Sequence, residues 1–360
     1  MKHIQLSYLI EPAGLPQSLI HNPLISTLHA VQKHGSISAA AKALDLSYRH
    51  VWGQLKRWET EIGQPLLLWE KGQAARLSPL GIKLLYAERQ AQARLAPQIE
   101  ALRAELERSF AMAFEPAAQV LQLCASHDEA LARLRTHCAS KQLHLDISFM
   151  GSIDAIRALN EGRCVMAGFH TSLPARKNSL AQRTYQNLLE PGMHKIIGFA
   201  QRAQGLIVPY GNPHGVLSLA EVQRQKLRFA NRPLGTGTRL LFDDLLASSK
   251  IKPSQITGYR RTEPSHAAVA HAVLHGSADV GLGIAAAAAV PGLDFVPLVQ
   301  ERYDLVCLKS ALQDPAVKAL CSSLQSSTWK KQINQLAGYT AEQSGRVLSL
   351  TQTLPWWDFD

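Results

Sequence analysis

The chain has 360 residues, 46% of them hydrophobic, which suits two or three domains with ordinary cores. No run of about 18 apolar residues occurs, so no membrane span is expected, and the opening "MKHIQLSYLIEPAGLPQSLIHNPLI" lacks the basic start, apolar block and cleavage site of a secretory leader. The net charge of +10 draws polyanions or acidic membranes without choosing between them. The five cysteines (Cys124, Cys138, Cys164, Cys307, Cys321) are too scattered for a disulfide framework or a C-x-x-C zinc site, so a reducing cytoplasm is expected.

The positive charge is not in a tail. From Lys33 to Arg57 there are five Lys/Arg (Lys33, Lys42, Arg49, Lys56, Arg57) against one acid, Asp45. Asn22-Pro23 offers an N-cap and an N1 proline for a helix to about Lys33, which Gly35 stops. Ser36 caps a second helix with Ile37, Ala40, Ala41 and Leu44 on one side. Ser47 caps a third, whose inward face is Val51, Leu55 and Trp58. Arg49, Gly53, Lys56 and Arg57 take the opposite face, flanked by Tyr48, His50 and Trp52. Such a capped pair is a helix-turn-helix layout, whose second helix fits the major groove. Arg49 is placed to fork onto a guanine edge, and Lys56 and Arg57 to hold phosphates. Gly53 allows close approach to DNA, or is a tolerated surface glycine; Trp52 and Trp58 read foremost as packing. Ser36 and Ser38, opening the second helix, complete the DNA-facing set with Ser47.

In "GQPLLLWEKGQAARLSPLG", Leu66–Glu70 reads as a strand, Lys71-Gly72-Gln73 as a turn and Ala75–Leu77 as a return strand. This is a wing, with Lys71, Gln73 and Arg76 placed to touch the DNA backbone or minor groove. Ser78-Pro79 then caps a long helix. Its apolar residues step 4-3-4 from Leu95 through Ile99, Leu102 and Leu106, a coiled-coil seam. About 30 residues give roughly 45 Å of helix, with Pro97 a point of bending. Its stripe needs a partner: a twin in a homodimer, or its own chain.

The stretch "GSISAAAKALDLSYRHVWGQLKRWETEIGQPLLLWEKGQAARLSPLGIKLL" resembles the winged helix-turn-helix of LysR-type and molybdate-responsive ModE regulators, and its "SYRHVW" leans toward ModE. The resemblance covers roughly residues 20–112.

Beyond "FAMAFEPAAQ" short apolar runs alternate with helical stretches: "VLQLCAS", "LHLDISFMG", "CVMAGFH", "KIIGFA", "GLIVP", "KLRFAN", "DVGLGI", "LDFVPL" and "YDLVCLK". The alternation argues α/β structure with largely parallel sheets in two lobes. The chain crosses between them near Gly198–Pro209 and Val296–Lys309. Four strand ends carry small polar groups just before a helix: Ser126-His127, Gly151-Ser152, Thr236-Gly237-Thr238-Arg239 and Ser265-His266. Ligands of open α/β sheets gather at such carboxyl ends, and free N–H groups at a helix start favour an anion. The richest is "NRPLGTGTRLLFDD", with two hydroxyls, exposed N–H groups at Gly235 and Gly237, and the charge of Arg239. It is neither a Rossmann fingerprint nor a P-loop, and a plain turn and cap is the alternative.

"ASHDEAL", "GSIDAIRALNEGRCVMAGFH", "RPLGTGTRLLFDDLL" and "GYRRTEPSHAAVAHAVLHGSADVGLGIAAAA" resemble the periplasmic-binding-protein-like (type II) effector domain fused to ModE-like heads. The resemblance implies a small molecule between the lobes, contacted by Ser126, His127, Ser152, Thr236, Gly237, Thr238, Arg239 and His266, with Glu263 orienting Arg239 or His266. His271 and His275 are spaced i, i+4, but no acid or cysteine completes a metal site. Ser126, His127 and Asp128 are adjacent and diverge, so they form no catalytic relay, and no G-x-S-x-G elbow exists. The tail "LPWWDFD" docks on the sheet or on a neighbouring subunit.

The expected fold is therefore α/β multidomain. A winged helix-turn-helix (1–78) and a linker or dimerisation helix (79–112) precede a two-lobed ligand-sensing domain (117–360), with lobe I at about 117–200 and 305–360 and lobe II at about 205–300. The expected function is sequence-specific transcription regulation, not catalysis. The expected partners are double-stranded DNA, a small anionic effector and further copies of the chain as homodimer or homotetramer, with no membrane and no cofactor. Regulators of this look are associated with molybdenum enzymes such as formate dehydrogenases, which puts formate first, then molybdate or tungstate. The alternative is a cytoplasmic anion-binding or storage protein without operator specificity.

Overall fold

The computed structural model describes residues 22–68, 75–114 and 118–357. They fall into two compact units, Met1–Ala96 and Pro97–Asp360. In the first, helix α1 (Pro23–His34) starts where the Asn22 side chain accepts from the Leu24 and Ile25 amides, and ends at Gly35 with φ 72°. Helix α2 (Ile37–Ala43) is capped by Ser36 on the Ala39 amide. Helix α3 (Tyr48–Ile62) is capped by Ser47 on the His50 amide and closed by the left-handed Gly63. Strands β1 (Leu67–Leu68) and β2 (Arg76–Leu77) pair antiparallel. Helix α4 (Pro79–Phe114) starts at Ser78, whose hydroxyl accepts from Gly81 N (3.0 Å) and donates to the Pro65 carbonyl (2.7 Å). Leu28, Val31, Ile37, Ala40, Val51, Leu55, Leu66 and Leu85 make one core under the three helices and the strand pair. Pro97 lies inside α4, and Leu95 and Leu102 of its stripe are exposed.

The second unit contains β3 (Gln119–Ala125), α5 (Glu129–Ala139), β4 (Leu143–Phe149), α6 (Ser152–Asn160), β5 (Met166–Leu173), α7 (Leu180–Tyr185) and β6 (His194–Pro209). Then come α8 (Leu219–Arg224), β7 (Phe229–Ala230), α9 (Gly237–Ser248), α10 (His266–Leu274), β8 (Val280–Ile284), α11 (Ala285–Ala288) and β9 (Leu293–Leu308). It ends with α12 (Pro315–Gln325), α13 (Ser327–Asn334), β10 (Tyr339–Thr340), β11 (Val347–Ser349) and α14 (Leu350–Thr353). The sheet order is β4-β3-β5-β9-β6-β8-β7, with β10 and β11 on β6.

Two sequence expectations are corrected here. "KIIGFA" and "GLIVP" are one 16-residue strand, β6, and "LDFVPL" and "YDLVCLK" are another, β9. They run antiparallel to each other from one lobe into the other, with register shifts at Gly198/Ala200 and Gln204/Gly205. The sheet is therefore mixed: β3 is parallel to β4 and β5, and β7 to β8, while β5–β9, β6–β8 and β6–β9 are antiparallel.

Lobe I has cores on both sheet faces, one around Leu123, Leu134, Phe199, Leu320 and Trp329, the other around Ile156, Phe169, Tyr185 and Val306. Lobe II is built likewise around Leu206, Phe229, Phe242 and Val280, and around Ile207, Val269 and Val273. The tail docks on its own lobe I: Trp356 is buried, faces Tyr185 with ring centroids 6.2 Å apart, and its carbonyl accepts from Gln182 and Gln186. The five cysteines are free thiols.

Where β6 and β9 cross, Arg202 is fully buried between two carboxylates, its Nε donating to Glu301 (2.7 Å) and its Nη1 to Asp128. Gln204 donates to Glu301 (2.9 Å), Tyr339 to Asp128 (2.6 Å), and Asp128 also caps α5 on the Ala130 amide. Burial would weaken the Arg202 charge, but Glu301, Tyr339 and Asp128 outweigh it and hold its pKa above the ordinary value. Deleting one member of such a cluster strands the others. Arg202→Met is expected to cost about 3–5 kcal/mol, read from urea unfolding of the full chain; a cost under about 1 kcal/mol would show that the carboxylates find water.

Candidate nucleic-acid interface and ligand cleft

The first surface is α3. Its N-cap, Ser47, and the short turn from α2 are both local sequence features, so its position follows from them. Val51 and Leu55 are buried, Trp58 is half-buried, and Tyr48, Arg49, His50, Gly53, Lys56 and Arg57 are exposed. Trp52 is half-buried between Tyr48, 6.4 Å away and nearly parallel, and the Lys56 ammonium, 4.8 Å from its ring centre. The two expected phosphate ligands are tied down intramolecularly, Lys56 to Glu59 (2.7 Å) and Arg57 to Glu61 (2.9 Å). The Arg57 pair, exposed at both ends, is worth at most about 1 kcal/mol, so a phosphate competes readily for Arg57. Ser36 and Ser47 are spent on capping, and Ser38 is exposed at the start of α2. Arg76 is exposed on β2, while Lys71 and Gln73 lie outside the described residues.

Sequence reading passed over Glu59. Its second oxygen accepts from the amides of Leu66 (2.8 Å) and Leu67 (3.1 Å), joining α3 to the first wing strand. Burial would raise its pKa, but the bonds from Lys56 and these amides outweigh it and hold the carboxyl below the ordinary value. Glu59→Ala is expected to cost the head about 1–3 kcal/mol. The acid form loses the same contribution, so head stability present near neutral pH falls as pH drops through the folded-state pKa of Glu59. Hydrogen exchange at Leu66 and Leu67 reads both; unchanged protection in the variant would contradict the tie.

The second site lies between the lobes. Gly151, before α6, meets Gly235 of lobe II so closely that a Cβ at Gly151 would stand 2.6 Å from the Gly235 carbonyl oxygen. The Ile153 amide donates to that oxygen at 3.4 Å. Asp244 of α9 accepts from the Leu180 amide (2.6 Å) at the start of α7. The lobes are thus shut on each other, and a cavity of about 10 Å³ beside His170, Gly237 and Glu301 has room for about one water.

Against this interface converge buried polar atoms without a hydrogen-bond partner among the described residues: Ser126 Oγ, His170 Nε2, Gln204 Oε1, Arg232 Nε and His266 Nδ1. The other atoms of the same side chains are held. Ser152 Oγ meets His170 Nδ1 at 3.1 Å, and Thr238 Oγ1 meets Gln204 Nε2 at 3.1 Å and His266 Nε2 at 3.4 Å. His170 also stacks on Tyr303, 4.0 Å between centroids. Arg232 donates from Nη1 to the Glu263 carbonyl (2.9 Å). Burial and the neighbouring Arg202, partly offset by Glu263, pull its pKa down to about 9. Unlike Arg202, it makes this hydrogen bond to a backbone carbonyl and not to a carboxylate, and an interior cation so placed favours an anion.

A model of the PBP superfamily domain matches residues 134–325. The chain belongs to the PBP superfamily. A second model, the bacterial regulatory helix-turn-helix of the lysR family, matches residues 24–82. An N-terminal helix-turn-helix domain is thus followed by a two-lobed PBP-like domain. The chain is 30% identical over 200 residues to the uncharacterised protein YvgK of Bacillus subtilis, covering 56% of this chain and 64% of YvgK. It is 34% identical over 111 residues to a protein encoded in the 5′ region of a ferredoxin 2Fe-2S gene of Clostridium pasteurianum, covering 31% of this chain and 98% of that one. Among solved structures, CbnR, a LysR family transcriptional regulator, aligns over 83% of this chain and 98% of its own, with 20% identity and a TM-score of 0.41.

Within the PBP domain, Ser126, Ser152, Thr238 and His266 lie at the interface, and three of the other expected contacts have partners elsewhere. Arg239 turns to Asp243 (3.1 Å), lies over the Tyr259 ring at 4.1 Å and donates to the Arg232 carbonyl at 3.2 Å, so it supports the loop and does not supply the cleft's charge. The Thr236 hydroxyl is spent on the Arg239 amide and the Pro233 carbonyl. His127 Nε2 meets Glu100 of α4 at 3.1 Å. The Glu263 backbone carbonyl accepts from Arg232 Nη1 (2.9 Å). Gly237 is needed for its size: a Cβ there would stand 2.7 Å from the Cβ of His170.

Four residues of the cleft were missed: His170, Arg202, Arg232 and Gln204. Arg232 stands two residues past the end of β7, and the strand-end rule applied to "KLRFAN" would have found it.

Proposed function

We propose that this protein is a cytoplasmic, ligand-responsive transcription regulator whose α3 reads operator DNA and whose PBP domain senses a small anion. The observation that carries the reading is Arg232, a guanidinium buried without an ion pair to a described carboxylate, beside Ser126, His170 and His266 atoms that still have hydrogen bonds to give. Helices α6 and α9 also begin at this point, and helix starts favour an anion. The exposed seam of α4, with Leu95 and Leu102 facing solvent, supports a dimer stalk over residues 79–112, and two copies of α3 would suit a two-fold operator. Formate, molybdate and tungstate are the effectors to try first, and the genes of a molybdenum-dependent enzyme such as formate dehydrogenase the first targets.

An anion shifts the regulator only by its differential affinity for the shut and open arrangements of the lobes. His127 and Glu100 supply one route outward from the cleft, since His127 follows Ser126 directly and Glu100 belongs to α4.

Arg49→Ala is expected to weaken binding to the protein's own upstream region by about 1–3 kcal/mol and to relax base preference. Gel shift on operator and random DNA checks this, and equal loss on both would make Arg49 a phosphate contact. Arg232→Gln is expected to abolish the thermal shift produced by formate, molybdate, tungstate or sulfate while sparing DNA binding; a variant responding at unchanged concentration would remove Arg232 from the site. Gly151→Ala, whose backbone suits alanine, is expected to keep the fold and weaken anion affinity at least tenfold, because the lobes no longer meet. Unchanged affinity would show that closure at Gly151 is not needed.

A further inference from the structure

The cleft contains two histidines, one from each lobe. His170 sits on β5 of lobe I and His266 at the start of α10 in lobe II, and each is more than nine-tenths buried. Each has one ring nitrogen engaged by a hydroxyl, Ser152 or Thr238, and one nitrogen without a partner among the described residues. The charged and titratable groups around them are few. Arg202 and Arg232 bear on both rings, Tyr303 stacks on His170, and His127 and His170 lie near His266. Asp128 and Glu301 are engaged by Arg202, Asp128 also by Tyr339, and the Glu263 carbonyl by Arg232.

Hydroxyls adapt to either protonation state of an imidazole, accepting from N–H or donating to a bare nitrogen. A buried neutral ring can therefore gain a proton without losing its existing partner. Burial, then the two guanidiniums, hold both histidines well below the ordinary imidazole range, so both are neutral near pH 7. An anion set against Arg232 reverses the sign of that field. It offsets the guanidinium, and it offers an acceptor that a protonated ring bonds more strongly than a neutral one.

Resting on the anion-sensing reading of this cleft, we propose that the protein takes up its effector, a small oxyanion, together with a proton, one of the His170–His266 pair becoming an imidazolium that clamps the anion opposite Arg232. Anion and proton are then linked ligands: affinity rises as pH falls, by up to about tenfold per pH unit where one full proton is taken up. No atom beyond the anion and one solvent proton enters the balance. The histidine pair also explains why one ring comes from each lobe, since the charge forms only when both lobes close on the anion.

The test is calorimetry of the full-length protein with formate, molybdate, tungstate and sulfate, all ionised at pH 7–8.5, in buffers of differing ionisation enthalpy. The expected result is an uptake of about half to one proton per anion bound, and an affinity that falls between pH 7 and 8.5. His266→Asn and His170→Asn are each run beside the wild type, with thermal unfolding as the folding control. At least one folded variant is expected to bind more weakly and to lose most of the uptake. Binding by the wild type without proton uptake, or uptake undiminished in both folded variants, overturns the proton linkage and leaves the anion-sensing reading standing. No binding of any of the four anions overturns both.

Discussion

The sensing domain depends on one buried positive charge being in the right place. Arg202 sits mid-strand where β6 and β9 cross between the lobes, and it holds three pieces of chain together: β9 through Glu301, the cap of α5 through Asp128, and, through Tyr339 on Asp128, the returning C-terminal segment. The second interior cation, Arg232, is held by a backbone carbonyl, and burial and Arg202 lower its pKa. Two arginines thus divide the interior between them: Arg202 is held by two carboxylates, and Arg232 by the Glu263 backbone carbonyl.

That division explains what the sequence revealed and what it hid. The head was readable almost residue by residue, because helix caps, left-handed glycines and a 3.6-residue apolar period act over a few positions: Asn22, Ser36, Ser47 and Gly35 all sit where local chemistry requires. Glu59 was not readable, since its partners are backbone amides seven and eight residues away across a turn. In the sensing domain the strand runs were visible, but "QRAQ" and "VQER" look like loops. Arg202, Gln204 and Glu301 within them pair in the interior, and only the fold brings Arg202 to Glu301 across 99 residues. Arg239 drew notice through its place beside a helix start, but Asp243 one turn later claims it. Arg232, next to a proline, gave no periodic signal.

The two candidate surfaces use charge under opposite conditions. On α3, Lys56 and Arg57 stand in water, the partner of Arg57 is cheap to exchange, and salt screens what they do. In the cleft, Arg232 and the histidines lie in a medium where each charge must be answered. His127, with Glu100 on one side and the cleft loop on the other, lies between the second function and α4.

The pairing of β6 with β9 has a consequence for how the chain is made. Ala203 and Gln300 stand opposite each other, so everything between them, the whole of lobe II, is an insertion into lobe I. Lobe I is assembled from both ends of that insertion: Trp329, Leu320 and Trp356, which fill its cores, belong to the final segment. A ribosome therefore delivers every strand of lobe II before lobe I can be finished. Tyr339 is the last of the Arg202 cluster to emerge.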